Sequence, residues 1–139
     1  MSRLKPVLLV EDDRIDAMTV GRALKEMGVA NAIVHLANGE DALKYARDKG
    51  SLEPCVVLLD LNMPRMGGIE FLKAVRSEGL LKDVPVLVFI GLDDDKDKIE
   101  KLNLGIVGYV IKSVDYKRFA ETIKVIDRYV TVTTDRSAV

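Results

Sequence analysis

The sequence has no tryptophan, a single cysteine and no apolar run of transmembrane length. With Cys55 alone, an internal disulfide is excluded, which is ordinary for a protein of a reducing compartment. The opening segment MSRLKPVLLVEDD turns acidic after about five apolar residues, too few for the apolar region of a signal peptide. We therefore expect a cytoplasmic protein that does not enter a membrane.

The chain also lacks an excess of charge of either sign. Lys and Arg number 21 against 22 Asp and Glu, which gives a formal net charge of -1. Proteins that bind nucleic acids or membrane surfaces through charge carry a basic field, and this balance provides none. We therefore expect a protein or a small ligand as partner, and neither nucleic acid nor membrane.

The length and composition suit one folded domain. The 139 residues are 48% hydrophobic and 31% charged, as in ordinary soluble globular proteins. A chain of this size buries about two thirds of its unfolded surface. We predict a single domain over residues 1–139, with a core at about 6–130 and a frayed tail at 131–139.

Five short apolar runs alternate with segments of helical periodicity. The runs are rich in Val, Ile and Leu, as buried strands are, and they lie at 6–10, 32–36, 55–59, 85–90 and 108–111. This alternation predicts an α/β fold in which helices cover both faces of a parallel sheet. We predict a doubly wound, flavodoxin-like (βα)5 fold with strand order 2-1-3-4-5, whose ligands bind at the carboxyl ends of strands 1 and 3.

Acidic residues follow the first and third predicted strands. Glu11, Asp12 and Asp13 follow the first strand, Asp60 follows the third, and Lys112 follows the fifth. Because neighbouring strands lie about 4.8 Å apart, Asp12, Asp13 and Asp60 should crowd one cleft and repel one another. Mg²⁺ relieves such repulsion and takes carboxylate and carbonyl oxygens, while a lysine stem can reach over the cleft. The pattern predicts a place for a phosphoryl group.

Three segments together resemble the signatures of response-regulator receiver domains. They are LLVEDD at 8–13, LLDLNMPRMGGIEFL at 58–72 and GYVIK at 108–112, and the resemblance covers roughly residues 6 to 130. It implies a single-domain response regulator of the chemotaxis type that signals through a changed protein surface. It also implies that the protein is no enzyme beyond its own phosphorylation and dephosphorylation.

The resemblance assigns roles to particular residues. Asp60 would accept a phosphoryl group from a sensor histidine kinase or a histidine phosphotransfer protein, and Lys112 would contact the phosphoryl oxygens. Mg²⁺ would bind the carboxylates of Asp13 and Asp60 and the backbone carbonyl of Asn62, with Asp12 holding a coordinating water. The Asn62 side chain would lie near the attacking water and influence the lifetime of the phosphoryl group.

Some of these residues have simpler structural interpretations. Asp13, or Asp16, could cap the first helix, and Tyr109 could be an edge-strand aromatic rather than a switch residue. Elsewhere, Pro64 with the glycines at 67 and 68 predicts the turn into the third helix. The run DDDKDK at 93–98 predicts the start and the solvated face of the fourth helix.

Two positions depart from the family pattern. Where the family has a Thr or Ser at the end of the fourth strand, this chain has Ile90, which cannot donate a hydrogen bond worth about 1.5 to 3 kcal/mol to a charged group. Switching should weaken, and with it the role of Tyr109, which normally moves with that hydroxyl. Ser113 replaces the proline that usually follows the lysine, so a trans peptide could aim Lys112 differently.

The resemblance implies a partner surface on the fourth helix, the fifth strand and the fifth helix. The downstream protein is not identified, and the same surface could pair two copies of the chain.

Three other classes of function stay open. Ile90 and Ser113 motivate a receiver-like scaffold that works without phosphorylation. An aspartate-nucleophile phosphohydrolase would need a second aspartate where Asn62 stands, and a flavin-binding flavodoxin would need a hydroxyl- and glycine-rich loop in place of EDDRID.

Overall fold

Five strands and five α-helices alternate along the described part of the chain. The computed structural model describes residues 4–48, 52–63, 65–91, 94 and 96–133. The strands are Val7–Val10 (β1), Ile33–Leu36 (β2), Val56–Asp60 (β3), Val86–Ile90 (β4) and Ile106–Ile111 (β5). The helices are Arg14–Glu26 (α1), Gly39–Arg47 (α2), Gly68–Ser77 (α3), Lys96–Glu100 (α4) and Tyr116–Ile123 (α5), and a 3-10 helix follows at Lys124–Arg128.

The strands form one parallel sheet in the order β2-β1-β3-β4-β5, which confirms the predicted doubly wound fold. β1 and β3 are neighbours, with Val10 paired to Leu59. The next residues along the two strands, Glu11 and Asp60, therefore leave the sheet side by side. This is the switch point of a doubly wound sheet, where ligands bind.

The three central strands are buried because helices cover both faces of the sheet. Every residue of β1, β3 and β4 is buried, as expected for parallel strands that read as continuous apolar runs. On one face the core includes Phe71 and Leu72 of α3, and on the other it includes Leu24 of α1 and Ile123 of α5. Each such side chain contributes about 1.5–3 kcal/mol on burial, so the strand ends are fixed in place.

The fourth helix is short and rests lightly on the sheet. α4 spans five residues and buries none of them, and Ile99 is its one partly buried apolar side chain packed on the core. A helix this short is not stable by itself. In the segment before Gly105, only Ile99 and Leu102 recur at helical spacing. This weak apolar stripe accounts for the short helix and its slight burial. Among the described residues, no helix is both long and apolar enough to span a bilayer.

The C-terminal segment is more ordered at its beginning than the sequence suggests. Residues 131–133, expected to fray, lie beside the loop between α1 and β2, where Val132 forms an antiparallel bridge with Val29. The Thr133 N–H donates to the Gly28 carbonyl over 2.7 Å. Residues from 134 onward, Pro64 and positions 93 and 95 of the acidic run lie outside the described residues.

Substituting Gly68 should disturb the backbone that carries Asp60. A Cβ at Gly68 would lie 2.5 Å from the Asp60 carbonyl oxygen and 2.8 Å from the Leu61 Cα, so the backbone must shift. We expect Gly68→Ala to lower the free energy of unfolding by about 1–3 kcal/mol, measured by urea denaturation. Gly21→Ala in α1 is the control, because nothing lies within 4 Å of its Cβ and the helix gains about 0.5–1 kcal/mol. Equal effects of the two substitutions would contradict this account.

Candidate functional site

A cleft of about 470 Å³ opens at the carboxyl ends of β1, β3 and β5. Its walls come from the loop between β1 and α1, the residues after β3, and the loop between β4 and α4. Asp60 and Lys112 both face it. The structure thus brings together side chains that are 52 residues apart in sequence, as the strand order predicts.

Three carboxylates converge at this cleft. One oxygen each from Glu11, Asp12 and Asp60 lie within 4.8 Å of one another, and among the described residues this is the group that could hold a metal ion. Glu11 is completely buried and Asp60 is 6% exposed, whereas Asp12 is exposed. The set combines two buried carboxyl groups with one that faces solvent. Hard oxygen ligands of this kind suit a divalent cation such as Mg²⁺.

Glu11 is the most constrained member of the group. Burial first, and then the neighbouring Asp60 carboxylate, raise the pKa of Glu11 to about 8, an effect that Lys112 only partly offsets. The buried Glu11 Oε1 faces the Lys112 ammonium at 2.7 Å. Burying a carboxyl group beside other carboxylates is costly even with one such partner. A buried carboxyl group beside two other carboxylates suits a cation-binding site.

Asp13 takes the capping role that is its simpler interpretation from the sequence. Its carboxylate is the N-cap of α1 and accepts hydrogen bonds from the N–H groups of Ile15, over 2.8 Å, and Asp16, over 3.0 Å. The structure therefore does not bring Asp13 into the converging group, and Glu11 stands there instead. Asp13 lies two residues beyond Glu11 and still lines the cleft, so its predicted role as a metal ligand stays a prediction. Both a cap and a metal ligand call for a carboxylate just before a helix.

Lys112 links the carboxylates from the opposite side of the cleft. Its Nζ lies 2.7 Å from Glu11 Oε1 and 3.1 Å from Asp60 Oδ2 and from Asp16 Oδ2. Burial alone would lower the pKa of Lys112, but hydrogen bonds to Glu11 and Asp16 outweigh it and raise that pKa, so the ammonium stays charged. No cis peptide occurs among the described residues. The trans bond to Ser113 therefore still lets Lys112 reach Asp60.

The two oxygens of Asp60 have separate partners. Oδ2 accepts from Lys112, and Oδ1 accepts from the backbone N–H of Asn62 over 3.2 Å. Asn62 also lines the cleft. The carboxylate is thus fixed in orientation where it lines the cleft.

The residues predicted to govern switching lie apart from these contacts. Ile90 is 8% exposed and packs into the core, so its position is an apolar one. The buried hydroxyl of Tyr109 has no hydrogen-bond partner among the described residues, and burial raises its pKa. Lys96 Nζ lies 4.8 Å from the centre of the Tyr109 ring. One residue further on, the Gly91 N–H donates to Asp94 Oδ2 over 2.6 Å, and both residues line the cleft.

With this fold and site, the chain belongs to the response regulator receiver domain family, whose model matches residues 7–124. Receiver domains are signalling domains of two-component systems rather than conventional enzymes, and they interact with histidine kinases or phosphotransfer proteins.

Among curated relatives, the chain is 32% identical over 126 residues to the probable methanogenesis regulatory protein FilR2 of Methanothrix harundinacea, covering 88% of this chain and 81% of the relative. It is 30% identical over 129 residues to the response regulator Rcp1 of Synechocystis, covering 90% of this chain and 88% of Rcp1.

Solved structures agree with this placement. The Mn²⁺-bound form of Rcp1 is 28% identical with a TM-score of 0.78, covering 93% of this chain and 99% of Rcp1. The phosphorylated cyanobacterial phytochrome response regulator RcpA is 27% identical with a TM-score of 0.75, covering 92% of this chain and 94% of RcpA.

The role of Asp13 can be tested by stability. Asp13→Ala removes the acceptor of two N–H groups at the start of α1 and should lower the free energy of unfolding by about 1 kcal/mol in urea denaturation. Asp13→Asn should leave that free energy almost unchanged, because asparagine caps helices as well as aspartate does. Equal stability of Asp13→Ala and the unsubstituted protein would contradict the capping role.

Proposed function

We propose that this protein is a response regulator that accepts a phosphoryl group on Asp60 from a sensor histidine kinase or a histidine phosphotransfer protein. One observation carries the proposal: Asp60 lies at the cleft with Oδ2 3.1 Å from the Lys112 ammonium and Oδ1 held by the Asn62 N–H. Such a carboxylate is oriented before the donor arrives, which is most of what phosphoryl transfer needs from a protein. We place its action in the cytoplasm, where such kinases deliver the phosphoryl group.

The transfer we propose is a single displacement at phosphorus. An oxygen of Asp60 forms a bond to phosphorus while the bond from phosphorus to the donor's imidazole nitrogen breaks, and the electron pair of that bond stays with the imidazole. Lys112 keeps its proton throughout and neutralises charge on the phosphoryl oxygens. The protein thus positions the Asp60 oxygen and neutralises charge on the phosphoryl group. Its catalysis is limited to its own phosphorylation and dephosphorylation.

Mg²⁺ is the cation that we propose for the site. Glu11, Asp12 and Asp60 would hold it, with the backbone carbonyl of Asn62 as the further ligand that the sequence suggests. The convergence of three carboxyl oxygens within 4.8 Å of one another supports this fit, as does the Mn²⁺-bound form of Rcp1. When bound, the cation supplies charge neutralisation at the phosphoryl oxygens. Asp13 is not included, because its carboxylate caps α1.

We propose that the phosphorylated state is communicated only weakly to the output surface. Ile90 offers no hydroxyl to a phosphoryl group, so one hydrogen bond that would favour the active arrangement is missing. The surface would comprise α4, β5 and α5, where the short α4 buries no side chain. Elements with few buried contacts rearrange at low cost. The same surface would serve a downstream protein or a second copy of the chain.

A scaffold that works without phosphorylation is the second candidate, and Ile90 and Ser113 are its support. The intact contact between Lys112 and Asp60 favours the phosphoacceptor instead. Asn62, standing where a phosphohydrolase would need an acid and base, disfavours that enzyme class.

Phosphate uptake tests the proposal directly. After incubation with acetyl phosphate and Mg²⁺, we expect intact mass to show one added phosphoryl group on the unsubstituted protein and none on Asp60→Asn. Asp127→Asn, at an exposed carboxylate of the 3-10 helix, is the matched control and should take up phosphate normally. Absence of uptake by the unsubstituted protein, or uptake that persists in Asp60→Asn, would sink the proposal.

A further inference from the structure

We infer that Asp16 is a positioning residue for Lys112, one that holds the ammonium over the cleft during phosphoryl transfer. The inference rests on the proposed function, because it concerns the same reaction. Asp16 touches no reacting atom in this account and acts only through Lys112.

Asp16 differs from the other carboxylates around Lys112. The ammonium contacts Glu11, Asp60 and Asp16, at 2.7, 3.1 and 3.1 Å. The first two belong to the converging group that suits a cation, and Asp16 does not. When a cation binds Glu11 and a phosphoryl group is attached to Asp60, Asp16 is the carboxylate that Lys112 still contacts. Its side chain is 44% exposed, so this pair keeps contact with solvent.

The two partners are held by different rigid elements. Asp16 lies in the first turn of α1, where its N–H donates to the capping carboxylate of Asp13 over 3.0 Å. Lys112 follows β5, and its backbone N–H donates to the Ile90 carbonyl over 2.8 Å. The contact between Asp16 and Lys112 spans 96 residues of sequence. It therefore holds the lysine ammonium relative to the first turn of α1 rather than relative to a loop.

The lysine has space into which it could otherwise move. A second, smaller cavity of about 70 Å³ lies on its other side, next to the apolar side chains of Val20, Phe89 and Phe119. Both this cavity and the cleft are lined by Asp16 and Lys112. The residue after Lys112 is Ser113, joined by a trans bond, and it restrains the following loop less than a proline would. The Asp16 carboxylate is the group placed to keep the ammonium at the boundary between the two spaces.

A lysine held in place affects the rate of transfer rather than the binding of the donor. Its charge is needed where negative charge spreads over the transferring oxygens, and a small displacement weakens that interaction. Loss of Asp16 should therefore lower the maximal rate of uptake and leave the donor concentration for half-maximal rate nearly unchanged. A residue with a merely structural role would change the melting temperature instead.

The test measures the rate of phosphate uptake from acetyl phosphate with Mg²⁺ in a double-mutant cycle. We expect Asp16→Asn to lower the maximal rate by about fivefold, the scale of a partly exposed ion pair. In a Lys112→Ala background, Asp16→Asn should have no further effect. Asp16→Glu keeps the charge and should recover part of the rate. Glu121→Gln, which removes an exposed ion pair with Lys124, is the matched control.

The outcomes separate this inference from the proposed function. No uptake by the unsubstituted protein overturns the proposed function, and the inference with it. Normal uptake with an unchanged rate in Asp16→Asn overturns the inference alone. So does a faster rate, because it would mean that Asp16 acts by repelling the anionic donor. An additive loss of rate in the double variant also overturns it, as does a failure of Asp16→Glu to recover any rate. Should Lys112→Ala react too slowly to be measured, the result with Asp16→Glu is the deciding one.

Discussion

Crowded negative charge at the carboxyl ends of β1 and β3 is the constraint on which the site depends. Oxygens of Glu11, Asp12 and Asp60 lie within 4.8 Å of one another, and the sheet buries two of these residues. Lys112 opposes that charge from the end of β5. Burial first, and then the neighbouring Asp60 carboxylate, make the charged form of Glu11 unfavourable and raise its pKa. In our proposal a divalent cation offsets this negative charge, so that Asp60 can accept an anionic phosphoryl group beside Lys112.

The fold keeps these charges together by fixing the elements that carry them. Because β1 and β3 are adjacent and wholly buried, Glu11 and Asp60 cannot separate. The turn after β3 passes so close to the start of α3 that only glycine fits at position 68. The Asp13 cap fixes the first turn of α1, and with it Asp16. Site geometry therefore follows from strand burial and helix capping rather than from loop conformation.

Sequence reasoning recovered what periodicity and strand order determine. The α/β fold and the meeting of Asp60 with Lys112 followed from five apolar runs and the residues after them. It did not separate Glu11 from Asp13, because a ligand and a cap are both carboxylates before a helix and only side-chain direction distinguishes them. The pairing of residues 131–133 with the loop near Val29 and the contact of Asp16 with Lys112 are tertiary, and no local pattern signals them.

Cation binding by the converging carboxylates is the central claim, and the melting temperature measures it most directly. A ligand that binds only the folded state raises that temperature with concentration. We predict that Mg²⁺ or Mn²⁺ raises the melting temperature of the unsubstituted protein and of Asp13→Asn, and that Asp12→Asn loses most of the increase. An increase that survives in Asp12→Asn and disappears in Asp13→Asn would contradict the account, because Asp13 and not Asp12 would then bind the cation.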